Sequence, residues 1–428
     1  MLTTQNSPPF NAPLRFFLTA PLFGIALGLL LMFHPDTIFT SRWLPETLAA
    51  VHLCTIGFML QIMLGSLIQI LPVLAGAVIK KPVAISTIVH ALLNVGAVFL
   101  IIAFLKQNNI LMIAAIILLF LSAVIFLIAV IFAFRHTKTT TAPILGLKFA
   151  IIALFFVLTL GILLGGTQSV FIYLDKAWTN LHAAWGLIGW GAILLISVAF
   201  VVVPMFQLTP NYPNKFMWIL PAALFSLLIL LTANTFFDLK IINSILIVLM
   251  LAGLSAFVIF SLKLQQKRRR ARRDPTFYAW AFGFWVSIVA FIFLILHFLF
   301  FEDLEKYQIP LNTTIMILYA FVAFICGMLF KILPFLSWLH LQNIALGKYK
   351  IPAMNHYLSE KEAYIQICIY FISAIFLFLS IFIPFFRISA AILMILQFLV
   401  LEILLCASFM RYKKVLNNLI QQKCENPR

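Results

Sequence analysis

Three histidines sit in apolar segments where a side chain that only packed would have served: His52, His182 and His297. Neutral imidazole nitrogen is well suited to holding haem iron or copper, and a single helix can supply an axial ligand. His52 lies twenty residues before Pro72, and His182 lies twenty-two before Pro204, so the two take nearly equal places in their segments. One histidine on each of two facing helices would ligate one haem from both sides. Alternatively, one holds haem and others hold copper, with His52 and His182 as the metal ligands and His297 as a third cofactor-binding candidate. A structural reading competes with both: histidines just inside a membrane interface bond to backbone or water, and His182, between Trp178 and Trp185, suits an aromatic belt. His90 is a weaker candidate, deeper in its segment.

Other polar groups within apolar runs are Glu402, Lys331, Gln61, Gln69 and Gln207. An intramembrane carboxyl costs free energy unless paired, hydrated or neutralised, so Glu402 reads as a proton-relay group or as one half of a pair between helices. Lys331 is expected to snorkel to the nearer interface. Gln61 and Gln69 are polar lining or glue between helices, and glue is the simpler reading for Gln69 and Gln207. The five cysteines (Cys54, Cys326, Cys368, Cys406, Cys424) show no CxxC spacing, which argues against a disulfide framework, a zinc site and covalent haem attachment. Phosphate-cradling and dinucleotide-binding glycine motifs are missing, as is any local Ser/His/Asp or Cys/His arrangement.

What positions these residues follows from composition. The 428 residues are 64% hydrophobic and 10% charged, with a mean hydropathy of +1.12. Apolar runs at about 14–33, 47–72, 83–105, 110–134, 147–172, 180–205, 216–235, 239–262, 276–300, 311–337, 364–385 and 388–410 reach the roughly 20 residues that cross a bilayer. The fold class is therefore all-α: a polytopic membrane protein with about twelve transmembrane helices, one transmembrane domain over 1–428 and little chain left for a soluble one. The first run lacks a small-residue cleavage pattern and reads as an uncleaved anchor. A net charge of +17 could suggest nucleic acid, but the Lys and Arg residues gather in alternate loops, including the run from Lys267 to Arg273. That pattern marks a cytoplasmic side, places both termini there and makes lipid, not nucleic acid, the partner.

Within residues 46–79, Leu53, Leu60, Leu64, Leu67 and Leu71 fall on one helical stripe expected to meet lipid. Gly57, Gln61, Gly65, Gln69 and Pro72 form a second stripe and His52, Thr55, Met59, Met63 and Ser66 a third, both turned inward. The ends of the second, sixth and tenth runs share apolar residues around Pro72, Pro204 and Pro334, which are 132 and 130 residues apart. Each proline is expected to terminate its helix. Four spans per interval means equal orientation, hence three pseudo-repeated four-helix arcs, roughly 14–134, 147–262 and 276–410, about an axis along the membrane normal. His52, His182 and His297 then share one depth near the outer interface.

The stretch His52-Leu-Cys-Thr-Ile-Gly57-Phe58, continuing to Gly65, Pro72 and Gly76, resembles the second-helix signature of the NnrS family, membrane haem-copper proteins connected with the bacterial nitric oxide response. Arg15-Phe16-Phe17-Leu18 is similar to that family's opening of the first helix. Twelve spans in three arcs also resemble subunit I of haem-copper oxidases, whose haems lie toward the outer side. Ala50, Leu53 and Cys54 stand where the NnrS signature has its first histidine, a glutamate and a methionine. The oxidases' histidines of helices seven and ten are missing too, so a full copper and two-haem site is not implied. What the resemblance implies is a bacterial inner-membrane protein with cytoplasmic termini that binds haem through His52, with His182 as second ligand or pocket residue. Its role would be redox or nitric-oxide-related, with a respiratory-chain or nitric-oxide-related partner. The residues leave two alternatives open: a cofactor-free transporter or permease lined by Gln61, Gln69, Glu402 and Lys331, and an assembly partner of a respiratory complex.

Overall fold

The computed structural model describes residues 8–135, 137, 140–168, 175, 178–269, 272–300 and 309–425. Twelve helices among them are long and apolar enough to cross a membrane: α1 (Asn11–Phe33), α2 (Pro45–Ala75), α3 (Pro82–Lys106), α4 (Asn109–Phe134), α5 (Ala142–Gln168), α6 (Trp178–Gln207), α7 (Asn214–Asn234), α8 (Lys240–Gln266), α9 (Pro275–Phe300), α10 (Ile309–Ala345), α11 (Glu360–Phe382) and α12 (Arg387–Glu425). No strand occurs among the described residues. Local chemistry marks the boundaries. Pro45 and Pro82 open α2 and α3, where a missing N–H costs nothing. The Asn108 side chain caps α4, and Ser359 with Glu362 forms a capping box on α11.

Residues 147–172 were the expected fifth span; its last four lie outside the described residues, and the helix itself starts earlier, at Ala142. An even number of spans brings α1 and α12 to one end of the bundle, called here the terminal face. The helices close into a ring, with α4 packed on α5, α8 on α9, and α12 back on α1. The last contact is close because Gly24 and Gly28 admit Phe398 and Ile395, whose atoms stand 2.4 and 2.7 Å from where a Cβ would be. Three helices lie inside: α2, α6 and α10 have 72%, 61% and 72% of their apolar windows buried, against 33–44% for the others.

Two expectations are corrected. The leucine stripe of α2 does not meet lipid: Leu53, Leu64, Leu67 and Leu71 are all buried, because α2 has α1, α3 and α10 around it. Pro72 and Pro204 do fall in the last turn, three residues before α2 and α6 end, but α10 continues from Pro334 to Ala345. Proline removes one backbone bond, and burial of Leu336, Leu339, Leu341 and Ala345 outweighs it. The extension packs on an equally extended α12: Tyr412 Oη lies 2.8 Å from His340 Nδ1, and Lys423 Nζ donates to the Ile344 carbonyl at 2.7 Å.

Candidate functional site

The α-helical geometry of α2 and α6 is interrupted in the same place. Residues Leu53–Leu60 and Trp185–Ala192 wind as π-helix. Each segment begins nineteen residues before its proline (53 to 72, 185 to 204) and ends twelve before it (60 to 72, 192 to 204). Both helices then finish in a left-handed residue four past the proline, Gly76 at φ 60° and Leu208 at φ 54°. A π segment gives up regular i→i−4 bonding and is frequent at functional sites. His52 immediately precedes the first segment, and His182 lies three residues before the second.

The two imidazoles face each other across the α2–α6 boundary, with ring centres 6.4 Å apart and planes inclined by 21°. His52 Nδ1 lies 2.7 Å from the Leu48 carbonyl oxygen, one turn back on α2. His182 Nδ1 lies 3.1 Å from the Val157 carbonyl oxygen on α5. A carbonyl oxygen only accepts, so in each neutral ring the proton resides on Nδ1 and the lone pair on Nε2. A ring nitrogen held this way by a backbone carbonyl is the usual support of a metal-ligating histidine. Phe104 of α3 lies beside His52, ring centres 5.2 Å apart. Gly161 of α5 lies beside His182, whose Cε1 would be 3.2 Å from a Cβ there. Trp185, wholly buried, stacks on Phe156 at 4.4 Å and donates to Thr232 Oγ1 at 3.0 Å, which fixes the turn after His182.

No family model and no curated protein matches this chain.

Among the described residues, no group of three or more His, Cys, Asp or Glu side chains could hold a metal ion. Among the described residues, the pair thus offers two imidazole donors with no His, Cys, Asp or Glu as a third. His297 is at the far end of α9, which packs mainly on α8, α10 and α11. His90 is engaged elsewhere: its Nε2 is 2.9 Å from Thr19 Oγ1 on α1, and its ring meets Phe16 edge-on.

Of the other polar groups, Gln61 donates to Asn94 Oδ1 at 2.7 Å, joining α2 to α3. Gln207 accepts from Gln265 at 2.8 Å, joining α6 to α8. Gln69 faces a cleft of about 270 Å³ at the terminal face, lined also by Phe10, Leu336 and His340. Lys331 forms an ion pair with Asp274 at 2.8 Å, and Asp274 also caps α9 by accepting from the Phe277 N–H. Glu402 Oε1 accepts from the Cys406 thiol at 3.1 Å. Asp274 and the π segments escaped the sequence reading, although the glycines Gly57, Gly186, Gly189 and Gly191 within the segments were a visible signal.

Proposed function

We propose that this membrane protein holds a haem or copper centre through Nε2 of His52 and His182, and that its role is redox or nitric-oxide-related. The observation that carries the reading is the facing pair itself, each ring fixed by a backbone carbonyl in the tautomer that leaves Nε2 free. Metal–imidazole bonds are about 2 Å long, so two rings sharing one ion have centres of the order of 6 Å apart; the separation here is 6.4 Å. Two imidazoles with no third His, Cys, Asp or Glu beside them among the described residues suit an axial pair whose other positions belong to a macrocycle, or a copper site open to an exogenous ligand. A bound haem or copper would supply the electron-transfer chemistry. The chain's part is to bind, to fix ring orientation through Leu48 and Val157, and to keep the site away from bulk water.

The matched π segments and the central burial of α2, α6 and α10 support a three-arc pseudo-repeat with the centre between the first two arcs. Lys and Arg gather in the loops of the terminal face, which supports cytoplasmic termini, and a bacterial inner membrane is what the resemblance of α2 implies. The likeness of α2 to the NnrS signature agrees in kind with this reading. Membrane preparations from haem- and copper-replete cells test it: a Soret band that shifts on dithionite reduction identifies haem, and stoichiometric copper without that band identifies copper. Protein carrying neither overturns the proposal.

A further inference from the structure

Buried polar side chains gather where α11 and α12 meet. Gln366, Gln397, Ser408 and Tyr357 are all wholly buried, yet both amide atoms of each glutamine, the serine Oγ and the tyrosine Oη have no hydrogen-bond partner. Other buried serines have partners: Ser197, Ser261, Ser287 and Ser337 one turn back, and Ser122 on a neighbouring helix. Leaving a buried polar atom unpaired costs its full desolvation. Six such atoms on four side chains in one contact would be a heavy loss for a seam meant to be dry.

Their positions form a line. Antiparallel α11 and α12 are tied near the terminal face by the Glu362–Arg411 ion pair and at the other end by Arg387 Nε donating to the Ser380 carbonyl. Counting between these ties puts Gln366 level with Ser408, about one turn above the ion pair, and Gln397 level with Ser373. At about 100° per residue, Gln366 and Ser373 share one face of α11, and Gln397 and Ser408 share one face of α12. Tyr357 lies at the mouth, its carbonyl accepting from Arg411 Nη1 at 3.1 Å. At the inner end Ser373 Oγ lies 2.6 Å from Tyr319 Oη, on α10, which packs against the Leu53–Leu60 segment of α2. Glu402 is about 140° round the helix from Gln397 and is turned out of the seam.

We propose that the α11–α12 seam is a hydrated path that carries water from the terminal face to the Ser373–Tyr319 hydroxyl pair. Water both donates and accepts, so waters along the seam would satisfy both ends of each amide and the two hydroxyls. Glu362 and Arg411 hold the mouth polar. The proposal is independent of what His52 and His182 bind.

Silver ion, a small water-borne thiol reagent, tests it. In full-length protein with the five native cysteines replaced, Ser408→Cys, Gln366→Cys and Gln397→Cys are exposed to Ag⁺ from the terminal side and then probed with maleimide after denaturation. Ala391→Cys, in the α1–α12 contact, is the dry control. We expect Ag⁺ to abolish later labelling at positions 366, 397 and 408 and to leave position 391 labelled. Full labelling at 366 and 408 overturns the proposal. Should the cysteine variants not fold, Gln366→Leu decides by melting temperature: a rise means the seam is dry and overturns it, and a fall supports it.

Discussion

The Cε1 atom of His182 stands 3.2 Å from the point where Gly161 would carry a Cβ. That wall of α5 and the Val157 carbonyl one turn before it hold the imidazole toward His52. Gly161→Val should push the ring off this position while the surrounding α5–α6 packing survives. The expected outcome is loss of bound cofactor with a melting temperature, read in detergent, within a few degrees of wild type.

Removing one residue from the π segment after His52 tests what that segment does. Deletion of Ile56 should let α2 wind as regular helix and so change the angle at which His52 is presented relative to the rest of the helix. Circular dichroism should keep its helical signal, and the cofactor spectrum should be lost. Retention of the spectrum would mean that the π segment does not aim the histidine.

Closure of the ring rests on the α1–α12 contact. A Cβ on Gly28 would sit 2.9 Å from the Ile395 backbone nitrogen, which cannot move aside as a side chain can. Gly28→Val is expected to destabilise the fold by about 1–3 kcal/mol, the usual range for overpacking. Thermal unfolding in detergent checks it, with Gly253→Ala as the comparison because its nearest neighbours lie at 3.4 Å and nothing need shift.

Lys331 and Asp274 form a 2.8 Å ion pair in which the Asp274 side chain is 5% exposed. Lys331→Met removes the ion-pair partner of that carboxylate and should cost about 3 kcal/mol. Asp274→Asn in addition should restore most of it, since the amide still caps α9 and no charge is left buried. A double-mutant cycle of melting temperatures measures the coupling.

Much of this was legible in the sequence. The bilayer demands long apolar runs, so the twelve spans showed themselves directly. Pro72 and Pro204 gave the register that marks α2 and α6 as equivalent and places His52 and His182 at matching depth. What was hidden has physical causes. A wheel sorts faces but does not show what surrounds a helix: α2 is enclosed by α1, α3 and α10, so Leu53, Leu64, Leu67 and Leu71, expected to meet lipid, are buried. Lys331 finds its partner 57 residues earlier in the chain, at Asp274, a separation no local pattern reveals. The continuation of α10 past Pro334 depends on burial against α12, another long-range contact. Gln366 and Gln397 look like isolated polar residues in apolar runs until their shared seam brings them into one line.

The most direct test is the absorption spectrum of purified protein, oxidised and dithionite-reduced, beside a copper determination, for wild type, His52→Ala and His182→Ala. The account expects a Soret band or stoichiometric copper in wild type, abolished or shifted by either substitution. A wild type with neither cofactor, or a spectrum and copper content that both substitutions leave unchanged, would contradict it.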